Sequence, residues 1–220
     1  MAGNHARLNI LVEGQTEETF VREMIAPHLA GFQVWATARI VETSKGYKGG
    51  AVSFGKMERQ VRLWCQGDST ATVTTMFDVY GLPNDFPGAA NWVANADPVP
   101  QVVALEAAFQ ATVAQPNFLA YLQLHEYEAL LFSDLEKLSY AEVVPKVIAD
   151  LQQQLADFAT PEHVNNSPQS APSKRIIRLW PGYEKSKPLH GALIAMEIGL
   201  PAMREACPRF DAWLSGLEAL

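Results

Sequence analysis

The sequence predicts an α/β fold in which a mostly parallel sheet is flanked by helices and followed by a helical C-terminal part. Through the first 139 residues, short apolar runs alternate with segments of helical spacing in the order βαβαβαβα, and only helical patterns follow from Tyr140 onward. The 220 residues are 48% hydrophobic, which suits one globular core. We therefore expect an α/β core over residues 1–139 and a helical extension over residues 140–220, packed on the same domain.

The first strand and helix are predicted from the N-terminal segment. Leu8–Val12 is a short apolar run that ends at Glu13 and Gly14. The segment TEETFVREMIAPHLAGF then repeats apolar residues with helical spacing. This pattern is typical of a strand, a tight turn and a helix.

The second and third strands are separated by a loop and a helix. Phe32–Val41 is rich in β-branched and aromatic residues, as strands are, and Phe54–Cys65 has the spacing of an amphipathic helix. Ala71–Phe77 predicts a third strand that ends at Asp78. The stretch GLPNDFPGAANWVANADP that follows is too dense in Gly, Pro and Asn for regular structure and predicts a long loop.

The fourth strand leads into the helical part. Val99–Ala114 predicts a helix, and Asn117–Leu124 predicts a strand that changes to a helical segment at HEYEALLF. Further helices are expected over about 141–158 and through Leu214, with a Pro-, Asn- and Ser-rich break at 161–173.

The charge balance argues against a general polyanion binder. Lys and Arg total 17 against 24 Asp and Glu, giving a net charge of −7 and a pI near 5.2, so any contact with nucleic acid must be local or metal-assisted. Cys65 and Cys207 are too few and too far apart for a zinc site. The N-terminus lacks the long apolar region of a secretory signal, and no apolar stretch reaches membrane-spanning length. We expect a soluble, cytoplasmic protein without a membrane partner.

Acidic residues follow the predicted strands. Glu13 follows the first strand, Asp78 ends the third, and HEYE at 125–128 follows the fourth. Because the carboxyl ends of the strands form the ligand crevice of an open α/β sheet, these residues predict a site for Mg²⁺ or Mn²⁺. The alternative is that Glu13 and Asp78 only end a strand or start a turn. For Glu17 and Glu18 we favour the ordinary role of first-turn acids that complement the helix dipole.

The HEYE sequence places one imidazole and two carboxylates where a strand changes to a helix. It is not the HExxH motif of zinc proteases, because residue 129 is Ala129. On a helix His125 and Glu128 share a face, so His125 could act in proton transfer, oriented by Glu128. The alternative is that His125 caps the strand while Glu126 and Glu128 face solvent.

A basic segment lies in the C-terminal part. Residues 173–187 carry a net charge of +4 in an otherwise acidic chain. Lys174, Arg175 and Lys185 lie near aromatic residues in this segment and could hold substrate phosphates. A solvated helix face is the alternative. The loop TSKGYKGG also carries lysines, but its spacing does not match a phosphate-binding P-loop.

Several segments together resemble a known family. They are VEGQTEETFV, the KGG loop, MFDVYGLPNDFPG, LQLHEYEALLFSD, APSKRIIRLWPGYEK and CPRFDAWL. On these segments the chain resembles domain of unknown function family 4276, a Toprim-related family, which implies a Toprim-like sheet. Toprim domains carry a glutamate after the first strand and an Asp-x-Asp pair after a later one. They bind Mg²⁺ there to cut or join phosphodiesters in topoisomerases, primases and OLD-type nucleases.

The resemblance assigns two residues and leaves one position unfilled. Glu13 resembles the first-strand glutamate and Asp78 the first aspartate of the pair. The second aspartate would fall on Tyr80, which cannot supply a carboxylate, so Glu126 or Glu128 could supply the missing ligand. The resemblance also implies an AAA or SMC-like ATPase partner and a role in defence against phage.

The expected function is that of a Mg²⁺- or Mn²⁺-dependent phosphodiesterase acting on nucleic acid. Glu13, Asp78, His125 and Glu128 form the expected catalytic set, and Glu126 joins the three acids as a possible metal ligand. Two alternatives stay open. One is a non-catalytic effector or adaptor that binds an ATPase, which the missing second aspartate favours. The other is a small-molecule phosphohydrolase or nucleotide-binding enzyme that uses the same crevice.

Overall fold

A five-stranded sheet is the centre of the fold. A computed structural model describes residues 5–41, 53–94, 96–164 and 170–220. Its strands are ordered β2-β1-β3-β4, with β5 also pairing with β3, and each of these pairs is parallel. The strands are β1 (Ala6–Val12), β2 (Val34–Ile40), β3 (Thr72–Asp78), β4 (Phe118–Leu119) and β5 (Leu122–Gln123). The predicted mostly parallel sheet is confirmed.

Helices flank the sheet and form the C-terminal part, as predicted. The helices are α1 (Gln15–Phe20), α2 (Ala26–Ala30), α3 (Phe54–Gly67), α4 (Pro98–Val113), α5 (Pro145–Leu155), α6 (Pro172–Leu179), α7 (Tyr183–Ala206) and α8 (Pro208–Glu218). A π turn, Val21–Ile25, joins α1 to α2. Short 3₁₀ segments cover Val79–Gly81, Ala89–Asn91, Tyr127–Ser133, Leu135–Ala141 and Pro161–His163.

The strand predicted over Asn117–Leu124 is interrupted, so that β4 and β5 are separate. Side chains replace the strand ladder at the interruption. The Thr75 hydroxyl donates to the Tyr121 carbonyl (2.7 Å) and accepts from the Tyr121 amide (3.2 Å). The Ala120 amide donates to the Gln110 side chain (2.9 Å). These bonds satisfy backbone groups that a continuous strand would have paired with β3.

Each face of the sheet is covered by its own apolar core. Side chains alternate along β1, so Leu8, Ile10 and Val12 enter one core while Leu11 enters the other. The first core contains residues of α1, α7 and α8, and the second contains residues of α3 and α4. The central strand β3 is therefore buried from Val73 to Phe77, as is typical of parallel sheets, whereas the edge strand β2 is mostly half-buried or exposed.

The C-terminal helices pack into the first core together with β1. The ring centroids of Phe210 in α8 and Phe20 in α1 are 6.1 Å apart. The Arg209 guanidinium lies 2.6 Å from the Glu106 carboxylate of α4. α1 and α8 therefore pack together in the first core, and the ion pair links α8 to α4, which contributes to the second core.

The sequence expectations also concerned a lysine-containing loop, two cysteines and membrane-spanning segments. The loop that carries Lys45 and Lys48 lies outside the described residues. Cys65 and Cys207 are buried free thiols. Among the described residues, no helix combines the length and apolar character needed to cross a bilayer.

Phe210→Ala should lower the free energy of unfolding by about 3–5 kcal/mol, because the fully buried ring would leave a cavity between α1 and α8. Urea denaturation followed by circular dichroism measures this loss. Val103→Ala is the control, since Val103 is 51% exposed and its truncation should change stability by less than about 0.5 kcal/mol. Equal stabilities of the two variants would show that α8 adds nothing to the core.

Candidate functional site

The ends of two adjacent strands bring Glu13 and Asp78 together. In the β1–β3 pair Val12 is opposite Met76, so Glu13 follows β1 beside the last residues of β3. The Asp78 amide donates to Glu13 Oε1 (3.0 Å), and Asp78 Oδ1 accepts from the Tyr127 amide (3.0 Å). Both side chains are half-buried, so they are recessed but still in contact with solvent. The pair that the sequence predicted is thus adjacent in space.

Gly81 closes over the Glu13 carboxylate. It ends the short 3₁₀ segment that follows β3. A Cβ atom at Gly81 would lie only 2.9 Å from Glu13 Oε2, closer than a methyl group and an oxygen can approach without displacing one of them. A side chain at residue 81 would therefore displace the Glu13 carboxylate from its present position.

Glu128 is the most deeply buried of the predicted acids. It is 5% exposed and lies at the start of the 3₁₀ segment Tyr127–Ser133. Its Oε1 is 3.0 Å from the Lys187 ammonium and accepts from the Tyr183 hydroxyl at 3.4 Å. Glu126 is half-buried, and its Oε2 accepts from the Ser173 amide (2.7 Å) at the start of α6.

Lys187 is brought to the site by a break in helix α7. The preceding residue, Ser186, has non-helical dihedral angles (φ −130°, ψ 19°), and the following Pro188 has no amide hydrogen to donate within the helix. Burial alone would lower the pKa of Lys187, but the Glu128 and Glu126 carboxylates outweigh it and raise that pKa. Lys187 therefore stays charged among the acids.

Glu17 joins the same group of acids, which sequence analysis did not predict. Its carboxylate accepts backbone hydrogen bonds from Gly14 and from its own amide, so it caps α1 as an ordinary first-turn acid does. Burial nevertheless raises its pKa, and the Glu128 charge raises it further. Glu17 thus has both the capping role that we favoured and a place in the site. We call Glu13, Glu17, Asp78, Glu126 and Glu128 the acidic cluster.

The acidic cluster holds more negative charge than its surroundings neutralise. Burial and then the Glu17 charge raise the pKa of Glu13 to about 7. Burial and then the Glu13 and Glu17 charges raise the pKa of Asp78 well above its usual range. Burial raises the pKa of Glu128, although Lys187 opposes this. Carboxyl groups so placed would be stabilised by an additional cation.

His125 does not form the expected pair with Glu128. It adopts a positive φ of 65° before an extended Glu126, so the α-helix on which the two side chains would share a face does not form. The His125 ring is buried and makes a hydrogen bond with the Glu162 backbone, and its Nε2 atom has no partner. Burial and then the nearby His163 lower the pKa of His125 to about 4.

The predicted phosphate-binding residues differ in their surroundings. Lys174 and Lys185 are exposed. Arg175 is half-buried, donates to the Ser170 carbonyl (2.9 Å) and lies over the Phe158 ring at 5.4 Å. Burial and then the Arg178 charge lower the pKa of Arg175. Arg175 is thus engaged in packing, and Lys187 is the residue of the basic segment that reaches the acidic cluster.

The acidic cluster fits a hard divalent cation in chemistry, although its side chains are not gathered around one point. Within the described ranges, no three His, Cys, Asp or Glu side chains form a group that could hold a metal ion. Mg²⁺ commonly needs only one or two protein carboxylates, with waters and substrate phosphates as its other ligands. The Glu13 carboxylate lies beside the Asp78 backbone, and burial with neighbouring charges raises the pKa of both carboxyl groups, so a cation here would stabilise their ionised forms.

A separate cavity lies away from the acidic cluster. Among the described residues it has a volume of about 720 Å³ and lies against β1 and β2, beside Trp35 and Trp64. None of the predicted site residues lines it.

Comparison with known proteins places the chain in a family. Residues 12–218 match the family described as domain of unknown function, DUF4276. The chain belongs to this family. The match covers β3, the acidic cluster and nearly all of the helical part of this DUF4276 protein. No curated protein matches it.

Two solved structures are similar to this DUF4276 protein over most of its length. Both are of the C-terminal region of the Xanthomonas campestris pv. campestris OLD protein, one phased with iodine and one with platinum. The first is 16% identical over 96% of each chain, with a TM-score of 0.38. The second is 15% identical over 96% of this chain and 94% of that chain, with a TM-score of 0.37. Because both scores are low, the function is argued from this chain's own residues.

The protein without metal should lose stability as the pH rises from about 4.5 to about 7. In this window the folded state binds a proton at Glu13 that the unfolded state has released, so the unfolding free energy falls with pH. Below the window Glu13 is protonated in both states, and it does not lower the unfolding free energy. Above the window Glu13 is ionised in both states, and the unfolding free energy is lower by on the order of 1–3 kcal/mol.

Urea denaturation at several pH values measures this slope. Glu13→Gln should reduce the slope and stabilise the protein above neutral pH. Glu18→Gln is the matched control, because it removes an acid from the same helix outside the cluster and should leave the slope unchanged. Equal slopes for the two variants would contradict the assignment of the titration to Glu13.

Proposed function

We propose that the protein is a Mg²⁺- or Mn²⁺-dependent phosphodiesterase that acts on nucleic acid. The observation that carries the proposal is the acidic cluster at the carboxyl ends of adjacent parallel strands, where burial raises the pKa of Glu13, Asp78 and Glu128 and one lysine pairs with Glu128. The resemblance to Toprim domains supports it, because Glu13 and Asp78 follow the strands that such domains use. The proposed role in phage defence follows from that resemblance alone, and the proposed cytoplasmic location follows from the sequence composition.

Glu13 and Asp78 are the proposed metal ligands. They are adjacent, partly open to solvent and made of the oxygen donors that Mg²⁺ and Mn²⁺ prefer. When bound, the metal would stabilise charge on the phosphate and lower the pKa of the attacking water. Each carboxylate accepts from a backbone amide through one oxygen, Glu13 Oε1 or Asp78 Oδ1, and its second oxygen would bind the metal. The charges of Glu17 and Glu126 both act on Asp78, so either residue could help to stabilise the same ion.

Glu128 and Lys187 act on the substrate in this proposal. Lys187 stays charged, and its ammonium would neutralise an oxygen of the scissile phosphate. Glu128 holds Lys187 in place, and its raised pKa suits it to accept the proton of the water. The exposed Lys174 and Lys185 would contact phosphates further along the chain, whereas Arg175 would support α6 through its packing.

His125 is left out of the proton transfer. Its low pKa keeps it neutral at physiological pH, and it lines a separate cavity instead of forming a hydrogen bond with Glu128. The acid–base role that the sequence suggested for it is therefore not part of the proposal.

A second candidate is a non-catalytic adaptor that binds an AAA or SMC-like ATPase. The ion pair between Lys187 and Glu128 favours it, because an internal ammonium already provides a cation in the cluster. Tyr80 at the position of the second aspartate favours it as well. In this case the acids would stabilise the fold around Lys187, and no metal would be needed.

Glu13→Gln and Asp78→Asn should each reduce cleavage of single- and double-stranded oligonucleotides in Mn²⁺ by roughly 10²-fold or more, since each removes a charged group that acts in the transition state. Gel analysis of labelled DNA and RNA measures the rates. Glu18→Gln should retain the wild-type rate, and activity that survives in both site variants would come from a contaminant or another site.

Mn²⁺ should raise the melting temperature of the wild-type protein by roughly 5–10 °C at about 100 times its dissociation constant. Relief of repulsion within the acidic cluster is the physical reason. Differential scanning fluorimetry at slightly alkaline pH measures the shift, and Asp78→Asn should abolish most of it. A wild-type protein with no shift, together with a stable complex with an ATPase, would favour the adaptor.

A further inference from the structure

A small cavity adjoins the acidic cluster on the other side of the turn that follows β3. Gly81 in this turn contacts Glu13, whereas its neighbours Tyr80 and Leu82 line the cavity. The volume is about 220 Å³. Trp92 and Leu105 provide further apolar wall. We call it the Tyr80 cavity.

Two buried polar atoms belong to residues that line the Tyr80 cavity, and neither has a hydrogen-bond partner. They are the Tyr80 hydroxyl and His125 Nε2, and no other buried side-chain polar atom is unpaired in the part of the chain that the structure describes. Buried polar groups are nearly always paired in native proteins. Two unpaired atoms on residues that line the same cavity therefore point to a ligand that pairs with them. His125 itself is only 1% exposed.

The backbone holds His125 in this place at a conformational cost. A positive φ is uncommon for a histidine, and such conformations concentrate at functional sites. The His125 carbonyl accepts from the Tyr80 amide (3.1 Å), which ties the two cavity residues to each other. The other side of the ring is fixed by the Glu162 backbone. The unpaired nitrogen is thus fixed in position beside Tyr80.

We propose that the Tyr80 cavity binds one nucleobase of the substrate, an inference that rests on the proposed function. The cavity is smaller than the 300–1,000 Å³ typical of drug-sized ligands, so it suits a single planar ring system. Trp92 and Tyr80 offer the aromatic surfaces on which bases stack. The Tyr80 hydroxyl donates a hydrogen bond and His125 Nε2 accepts one, which complements the neighbouring donors and acceptors on a base edge.

A base held there would place its phosphodiester at the acidic cluster. Tyr80 is two residues from Asp78, and Gly81 touches Glu13, so cavity and cluster share one short turn. This arrangement gives Tyr80 a function at the position where related domains carry an aspartate: it would position the base instead of binding metal.

Binding of single nucleosides tests the proposal without metal or phosphate chemistry. Adenosine, guanosine, cytidine and uridine are titrated separately into the full-length protein, and chemical shifts are followed by NMR. At least one nucleoside should bind, and Tyr80→Phe and His125→Asn should each weaken it roughly ten-fold. Asn is chosen at residue 125 because it tolerates a positive φ. Tyr80→Phe removes only a hydroxyl, so this variant keeps the fold even if His125→Asn does not.

Two controls separate this proposal from the proposed function. Glu13→Gln should bind the nucleoside as the wild type does, and ribose 5-phosphate, which has no base, should bind no better to the wild type than to Tyr80→Phe. Failure of all four nucleosides to bind, or binding that neither cavity variant weakens, overturns the base site. Neither result affects cleavage by Glu13 and Asp78, which is measured independently. Loss of cleavage in Glu13→Gln with intact nucleoside binding supports both proposals.

Discussion

The parallel pairing of β1 with β3 places Glu13 within hydrogen-bond distance of the Asp78 amide, and the site is organised around this contact. Burial raises the pKa of both carboxyl groups; the Glu17 charge raises the pKa of Glu13 further, and the Glu13 and Glu17 charges raise that of Asp78 further. Burial of both sheet faces provides the free energy that offsets this repulsion. The fold thus maintains a concentration of negative charge that is costly without a cation.

Gly81 and helix α7 are the other parts of the site that contact the acidic cluster. Gly81 lets the chain pass beside Glu13, and the broken helix α7 delivers Lys187 to Glu128. The same turn that follows β3 separates the acids from the Tyr80 cavity. One side of the turn is therefore polar and suited to a cation and a phosphate, while the other is mainly apolar and suited to a planar ring.

Much of the fold was predictable because periodic apolar patterns determine which faces are buried. The strand over Ala6–Val12 and the helix over Pro98–Val113 follow such patterns closely. The interruption between β4 and β5 was not predictable, since it depends on Thr75 and Gln110, which are distant in sequence and bond the backbone there. Local patterns carry no information on such long-range side-chain bonds.

The candidate site was predictable for residues that end strands. It was not predictable for residues whose position depends on tertiary packing. Glu13 and Asp78 follow from strand topology. Lys187 depends on a helix break sixty residues away from the HEYE sequence, and the unpaired state of His125 depends on a positive φ that sequence does not reveal. Glu17 was assigned to its capping role alone, because its burial beside Glu13 requires the packed structure.

The most direct test is a crystal structure of the protein soaked in Mn²⁺, with the ion located by its anomalous scattering. We expect a peak about 2.0–2.6 Å from carboxylate oxygens of both Glu13 and Asp78. The absence of any anomalous peak at these oxygens in saturating Mn²⁺ would contradict the assignment of the two residues as metal ligands.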